Sequence, residues 1–170
     1  MTNVHPGAKI AADVVVEPFS TIYEDVEIGP GCWIGSNVVI MNGARLGKNV
    51  RIFPGAVISG DPQDLKYQGE YTTVEIGDNT IIREYVTLNK GTKTREKTMI
   101  GKDCLIMSYV HIAHDCHLHD RVIMGSYAGL AGEVEIDSWA IISPGSLVHQ
   151  FVRIGTHVMI QGGSKVTKDV

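Results

Sequence analysis

The chain has 170 residues, a length that suits one domain with a sizeable core. Its hydrophobic content of 44% and charged content of 20% argue against disorder, and a formal net charge of −4 gives no general attraction to nucleic-acid backbones or anionic lipid. The opening MTNVHPGAKI lacks a basic region followed by an apolar run, and no apolar segment approaches bilayer-spanning length, so a cytoplasmic protein without a membrane span is expected.

From the N-terminus onward the chain repeats every sixth residue. Aliphatics fall at Ile10, Val16, Ile22, Ile28, Ile34, Ile40, Leu46, Ile52 and Ile58 without a miss. The position two before each is small or β-branched, as at Val26, Cys32, Val38 and Ala44, and the position after is often glycine, as at Gly29, Gly35 and Gly47. A helix would show spacings of three and four, and an isolated strand would alternate over a few residues only. A strict six means a short strand, a turn and a repeat. The expected fold is all-β: a parallel β-helix whose triangular coils each take three hexads, or 18 residues, stacked at roughly 4.8 Å per coil. Cys32, Cys104 and Cys116 occupy the small inward slot and form no CxxC pair, so they read as buried small hydrophobes rather than metal ligands.

Two stretches interrupt the six. Residues 59–73, SGDPQDLKYQGEYTT, replace two hexads, and residues 89–99, NKGTKTREKTM, replace one. The register resumes unshifted at Ile76 and again at Ile100, so both are loops thrown out from intact coils, the usual place for binding residues in a solenoid. Lys90, Lys93, Arg95 and Lys97 in the second loop read as a solvated charge run, with an anionic carrier or nucleotide as the alternative.

The stretch YVHIAHDCHLHD (109–120) carries four histidines. The register turns Val110, Ile112, Cys116 and Leu118 inward and the rest outward. Residues 18 apart are neighbours on adjacent coils, which places Gly132 and Gln150 in the column of His114, Glu133 beside Asp115, and His111 and His149 close by. A histidine base, a carboxylate to orient it and a free backbone N–H for an oxyanion are what acyl transfer requires. His114, Asp115 and Gly132 are the candidates. His117 and His119 flank inward Leu118 and should face solvent away from the His114 column.

HIAHDC (111–116), PQDLKYQGE (62–70), VEIGDNTIIRE (74–84), LAG (130–132), VHQF and IGTHVM (148–159) together resemble the UDP-N-acetylglucosamine O-acyltransferase family of lipid A biosynthesis. The resemblance covers essentially the whole chain. It implies a left-handed winding and a homotrimer with active sites between subunits. The reaction would move an (R)-3-hydroxyacyl chain from acyl carrier protein to the glucosamine 3-hydroxyl, with no metal or diffusible cofactor. By the same resemblance His114 is the general base, Asp115 orients it and the Gly132 amide receives the oxyanion. His111, His149, Gln150, Gln63, Asp64 and Lys66 are substrate contacts, and Gly162 stands where a side chain would shorten the acyl pocket.

Two departures from the family stand out. Glu133 occupies a position that is commonly histidine, and is expected either to share a proton with Asp115 or to pair with a cation such as Lys66. Relatives continue into a C-terminal helical domain, whereas this chain stops at Lys168-Asp169-Val170, so a single β-helix domain over 1–170, truncated or naturally minimal, is expected. Three other readings stay open: a different hexapeptide-repeat sugar acyl- or acetyltransferase, a zinc-dependent carbonic-anhydrase-like β-helix, and an inactive scaffold.

Overall fold

The computed structural model describes all of residues 1–170. Its 25 strands, of two to four residues each, form three parallel sheets of nine, eight and eight strands, in which every third strand in sequence is a neighbour. This is a left-handed parallel β-helix. No helix is long and apolar enough to cross a membrane.

The period of six sets the register directly. Thr21 faces Val39, and later His111 faces Gly129 and Gly129 faces Leu147, each pair one 18-residue coil apart. The two loops appear as offsets in the same ladders. Val57 pairs with Thr87 rather than Glu75, and Thr87 pairs with His111 rather than Leu105. Both loops leave the stack without shifting it.

The inward aliphatics build one core cluster of 38 buried residues running the length of the solenoid. Its columns, such as Ile34, Ile52, Ile82, Ile106, Met124 and Ile142, are fully buried. Like stacks on like, so each coil covers the apolar surface of the one before it.

The corners explain the remaining positions of the hexad. Outside the loops, every non-glycine residue with positive φ lies three places after an inward aliphatic: Asn37, Asn49, Tyr109, Asp115, Tyr127 and Glu133 among them, at φ between 54° and 68°. No β-branched residue sits there, as left-handed backbone sterics require. The glycine after the aliphatic serves closeness instead. A Cβ on Gly29 would lie 2.5 Å from the carbonyl oxygen of Gly47 on the next coil.

The small inward slot has a second use that the apolar reading misses. At several coils it holds a hydroxyl or thiol that donates to a corner carbonyl of the following coil. Ser20 Oγ bonds the Gly35 oxygen at 2.7 Å, Thr80 Oγ1 that of Gly101 at 2.8 Å, and Cys116 Sγ that of Ala131 at 3.1 Å. The cysteines are therefore buried small residues, as expected, that also act as weak donors. Desolvation pushes the Cys116 thiol up to about 12 and Cys104 up to about 11 from an ordinary 9.0.

Two outcomes follow. Ile106→Ala should lower unfolding free energy by about 2–5 kcal/mol in urea titration, because the rigid stack cannot close the cavity. The native protein at pH 8 should resist iodoacetamide at all three cysteines by mass spectrometry and react at each in urea, since the buried thiols hold their protons.

Candidate active site

His114 and Asp115 sit on the corner between the strands His111–Ile112 and His117–Leu118. The sequence places both outward. They do point away from the solenoid core, yet His114 is only 8% exposed and Asp115 0%. The reason is that both inserted loops fold back over this corner.

Asp115 is the anchor of the arrangement. Thr92 donates to it twice, from its amide to Oδ1 at 2.9 Å and from Oγ1 to Oδ2 at 2.6 Å. The Arg95 amide donates to Oδ1 at 3.2 Å, and the Asp115 amide itself donates to Thr98 Oγ1 at 2.9 Å. His114 Nδ1 lies 2.8 Å from Oδ2. A carboxylate so supplied with donors is an acceptor, so the proton of this contact belongs to Nδ1 and Nε2 keeps its lone pair. That tautomer is the one a general base needs.

Nε2 faces Asp64 of the first loop, whose Oδ2 is 3.8 Å away, too long for a hydrogen bond. The imidazole lies flat against Gly132. A Cβ there would be 2.5 Å from Cε1 and 2.6 Å from Nε2, so only glycine admits the ring in this position. The Gly132 amide makes no backbone hydrogen bond.

The loops reach the corner as one unit. Lys90 pairs with Asp61 at 2.9 Å, the Lys93 amide bonds Glu70 at 3.2 Å and Thr72 Oγ1 bonds the Gly91 oxygen at 2.6 Å. These contacts tie the first loop to the second, and Thr92 and Arg95 tie the second to Asp115. The basic run of the second loop is thereby spoken for: Lys97 pairs with Glu75 at 3.3 Å and Arg95 approaches Glu135 at 3.9 Å. It is neither a simply solvated run nor an open anion patch.

Beside the corner, across the nine-stranded sheet, runs a groove of about 600 Å³. It brings together Gln63, His111, His114, Gly132, His149 and Gln150 from three successive coils and the first loop. Thr87 Oγ1 lies 2.7 Å from His111 Nδ1, and burial holds this imidazole below its usual range, hence neutral at pH 7. His149 Nδ1 is 3.2 Å from the Gln150 carbonyl, which directs Nε2 outward.

Lys66 is exposed and makes no ion pair, and Gly162 lies on the corner at the far edge of the sheet, against the Pro144 carbonyl, outside the groove lining. The expected pairing of Glu133 does not occur. Its amide donates to the His114 carbonyl at 3.0 Å, confirming the stacking, but both Asp115 oxygens are held by Thr92, Arg95 and His114, and Lys66 bonds neither carboxyl. The loop donors reach Asp115 first.

Thr92 and Arg95 were not legible as site residues. A signal existed for Thr92, which falls on the small inward register position, six before Thr98, inside a loop read as outside the repeat.

The fold and the repeat define a hexapeptide-repeat β-helix of the bacterial transferase type: residues 25–60 and 97–132 match the bacterial transferase hexapeptide (six repeats) family. An acyl-[acyl-carrier-protein]–UDP-N-acetylglucosamine O-acyltransferase of Thiobacillus denitrificans is 54% identical over 168 residues, 98% of this chain and 65% of the relative. Among solved structures, a UDP-N-acetylglucosamine acyltransferase from Bacteroides fragilis is 47% identical with a TM-score of 0.98, covering 99% of this chain and 66% of that one. That from Campylobacter jejuni is 33% identical with a TM-score of 0.86, covering 99% of this chain and 68% of that one. The chain belongs to the UDP-N-acetylglucosamine O-acyltransferase family, and spans 65% of the length of the Thiobacillus relative.

Thr92→Val removes one buried hydrogen bond to a carboxylate and should lower stability by about 1.5–3 kcal/mol. Thr94→Val, on the exposed side of the same loop, should change it by less than about 0.5 kcal/mol. Urea unfolding of the two variants makes the comparison.

Proposed function

We propose that this chain transfers an (R)-3-hydroxyacyl group from acyl carrier protein to the glucosamine 3-hydroxyl of UDP-N-acetylglucosamine, an early step of lipid A synthesis in the cytoplasm. The observation that carries the reading is the His114 Nδ1–Asp115 Oδ2 contact of 2.8 Å beside a groove and a free Gly132 amide.

In the proposed reaction, His114 Nε2 takes the proton of the sugar 3-hydroxyl as its oxygen attacks the thioester carbonyl. Asp115 fixes the tautomer and stabilises the imidazolium that forms. The tetrahedral oxyanion is received by the Gly132 N–H. Collapse breaks the carbon–sulfur bond, and the imidazolium returns its proton to the leaving thiolate. His111, His149, Gln150 and Gln63 contact the sugar nucleotide along the groove, with Asp64 beside the reacting hydroxyl. Lys66, exposed on the first loop, would meet the nucleotide in a groove walled by a neighbouring subunit of a homotrimer. Gly162 leaves the far edge of the sheet open to a long acyl chain. No resident cofactor enters this scheme.

The test is incubation with hydroxyacyl carrier protein and UDP-N-acetylglucosamine, with detection of the 3-O-acylated sugar nucleotide by mass spectrometry. His114→Ala should reduce turnover by about 10²–10⁴-fold while leaving circular dichroism and oligomer mass unchanged. Transfer that survives this substitution would remove His114 from the role of base.

A further inference from the structure

Around the corner from the groove, on the face of the sheet that contains His117–Leu118 and Glu135–Ile136, the hexad pattern is broken in a specific way. The position after the inward aliphatic on this sheet is glycine at Gly29, Gly47, Gly77, Gly101 and Gly155. Close approach of the coils demands it: a Cβ on Gly77 would lie 2.6 Å from the Gly101 carbonyl carbon. Apart from Ala11 on the first coil, the row is interrupted at two adjacent coils, by His119 and then Asp137. One place before the same aliphatics stand His117 and Glu135, which are direct cross-strand partners. Two imidazoles and two carboxylates thus form a two-by-two block on adjacent coils.

The block is preformed. Ligand atoms of His117, His119 and Glu135 all lie within 4.8 Å of one another. The two rings stack with centroids 4.1 Å apart. His119 Nε2 sits 3.6 Å from Glu135 Oε1 and 3.7 Å from Asp137 Oδ1, and it is buried without a hydrogen-bond partner. In a tetrahedral zinc site with bonds of about 2.0–2.2 Å, ligand atoms are about 3.3–3.6 Å apart. The His119 separations are already near that value, and small side-chain rotations close the rest.

The neighbouring charges leave the centre open. Arg95 and Arg153 approach Glu135 through its other oxygen, Oε2, at 3.9 and 3.8 Å, so Oε1 remains turned toward His119. Lys97, one coil below, is paired with Glu75. Two imidazole nitrogens with a carboxylate favour zinc or a similar borderline transition ion over calcium or magnesium, which take all-oxygen sets.

We propose that His117, His119 and Glu135 bind a zinc-class divalent transition ion, with Asp137 or water as the fourth ligand, at a site distinct from the groove. The site would pin one coil to the next. It would also touch the loop lock, because Arg95 turns its guanidinium to Glu135 and its amide to Asp115. The assignment rests on these residues alone and stands independently of the acyl-transfer reading.

The experiment uses the full chain, stripped with chelator and titrated with zinc by calorimetry, with cobalt absorption as a spectroscopic check. One zinc per chain is expected, with a tetrahedral cobalt spectrum and a thermal midpoint that rises with zinc concentration. His119→Ala and Glu135→Gln should each weaken zinc binding by at least about tenfold. His5→Ala, on an exposed histidine of the first coil, should leave it unchanged. Glu135→Gln is nearly isosteric and keeps the test decisive if His119→Ala does not fold. Absence of zinc binding by the folded chain overturns the proposal. Binding that survives both ligand substitutions overturns it equally.

Discussion

The structure depends on one constraint: an inward aliphatic side chain every sixth residue, stacked on its counterpart one coil away. Each coil has almost no interior of its own and is stabilised by the apolar surface its neighbours cover, so the period cannot drift without uncovering a column. From that follow the left-handed corner residues, the glycines that let coils close, and the rule that residue i lies over residue i+18. His114 meets Gly132 because of this rule. A histidine two places after one aliphatic lands on a glycine two places after the aliphatic of the next coil, and the missing side chain makes room for the ring.

On that frame the loops do a different kind of work. They add nothing to the apolar columns, yet they convert an outward corner into a buried one. Asp115 would otherwise be a solvated carboxylate at a turn. With Thr92 and Arg95 over it the carboxylate is dry, has its lone pairs filled, and can hold one imidazole tautomer. A buried ion without those donors would be strongly unfavourable, so the second loop and Asp115 require each other. The ties between the loops, Asp61 to Lys90 and Glu70 to Lys93, pass that requirement to the first loop, which in turn sets Asp64 beside Nε2.

The same backbone carries two unlike histidine pairs within nine residues. His111 and His114 serve the groove, one held by Thr87 and the other by Asp115. His117 and His119 lie around the corner and meet Glu135 and Asp137 instead. Their separation is set by the corner at 114–115, which turns the chain onto another sheet, so residues close in sequence face different neighbours.

By itself the sequence determined which side chains point inward, the length of a coil, where the loops leave it, and the His114–Gly132 and Asp115–Glu133 columns, because all of these are consequences of a period that can be counted. It also carried the family, through HIAHDC, QDLKY and VHQF. Only the tertiary structure decided what fills those columns. That Asp115 answers to Thr92 and Arg95 and not to Glu133, and that Lys66 stands free, were invisible; the 18-residue rule sets His117 by Glu135 and His119 by Asp137, but not that their ligand atoms turn toward one another. Loops have no period, and side-chain direction beyond the Cβ is set by whichever donors arrive nearest. Repetition makes a backbone legible; the contacts that break the repetition have to be seen.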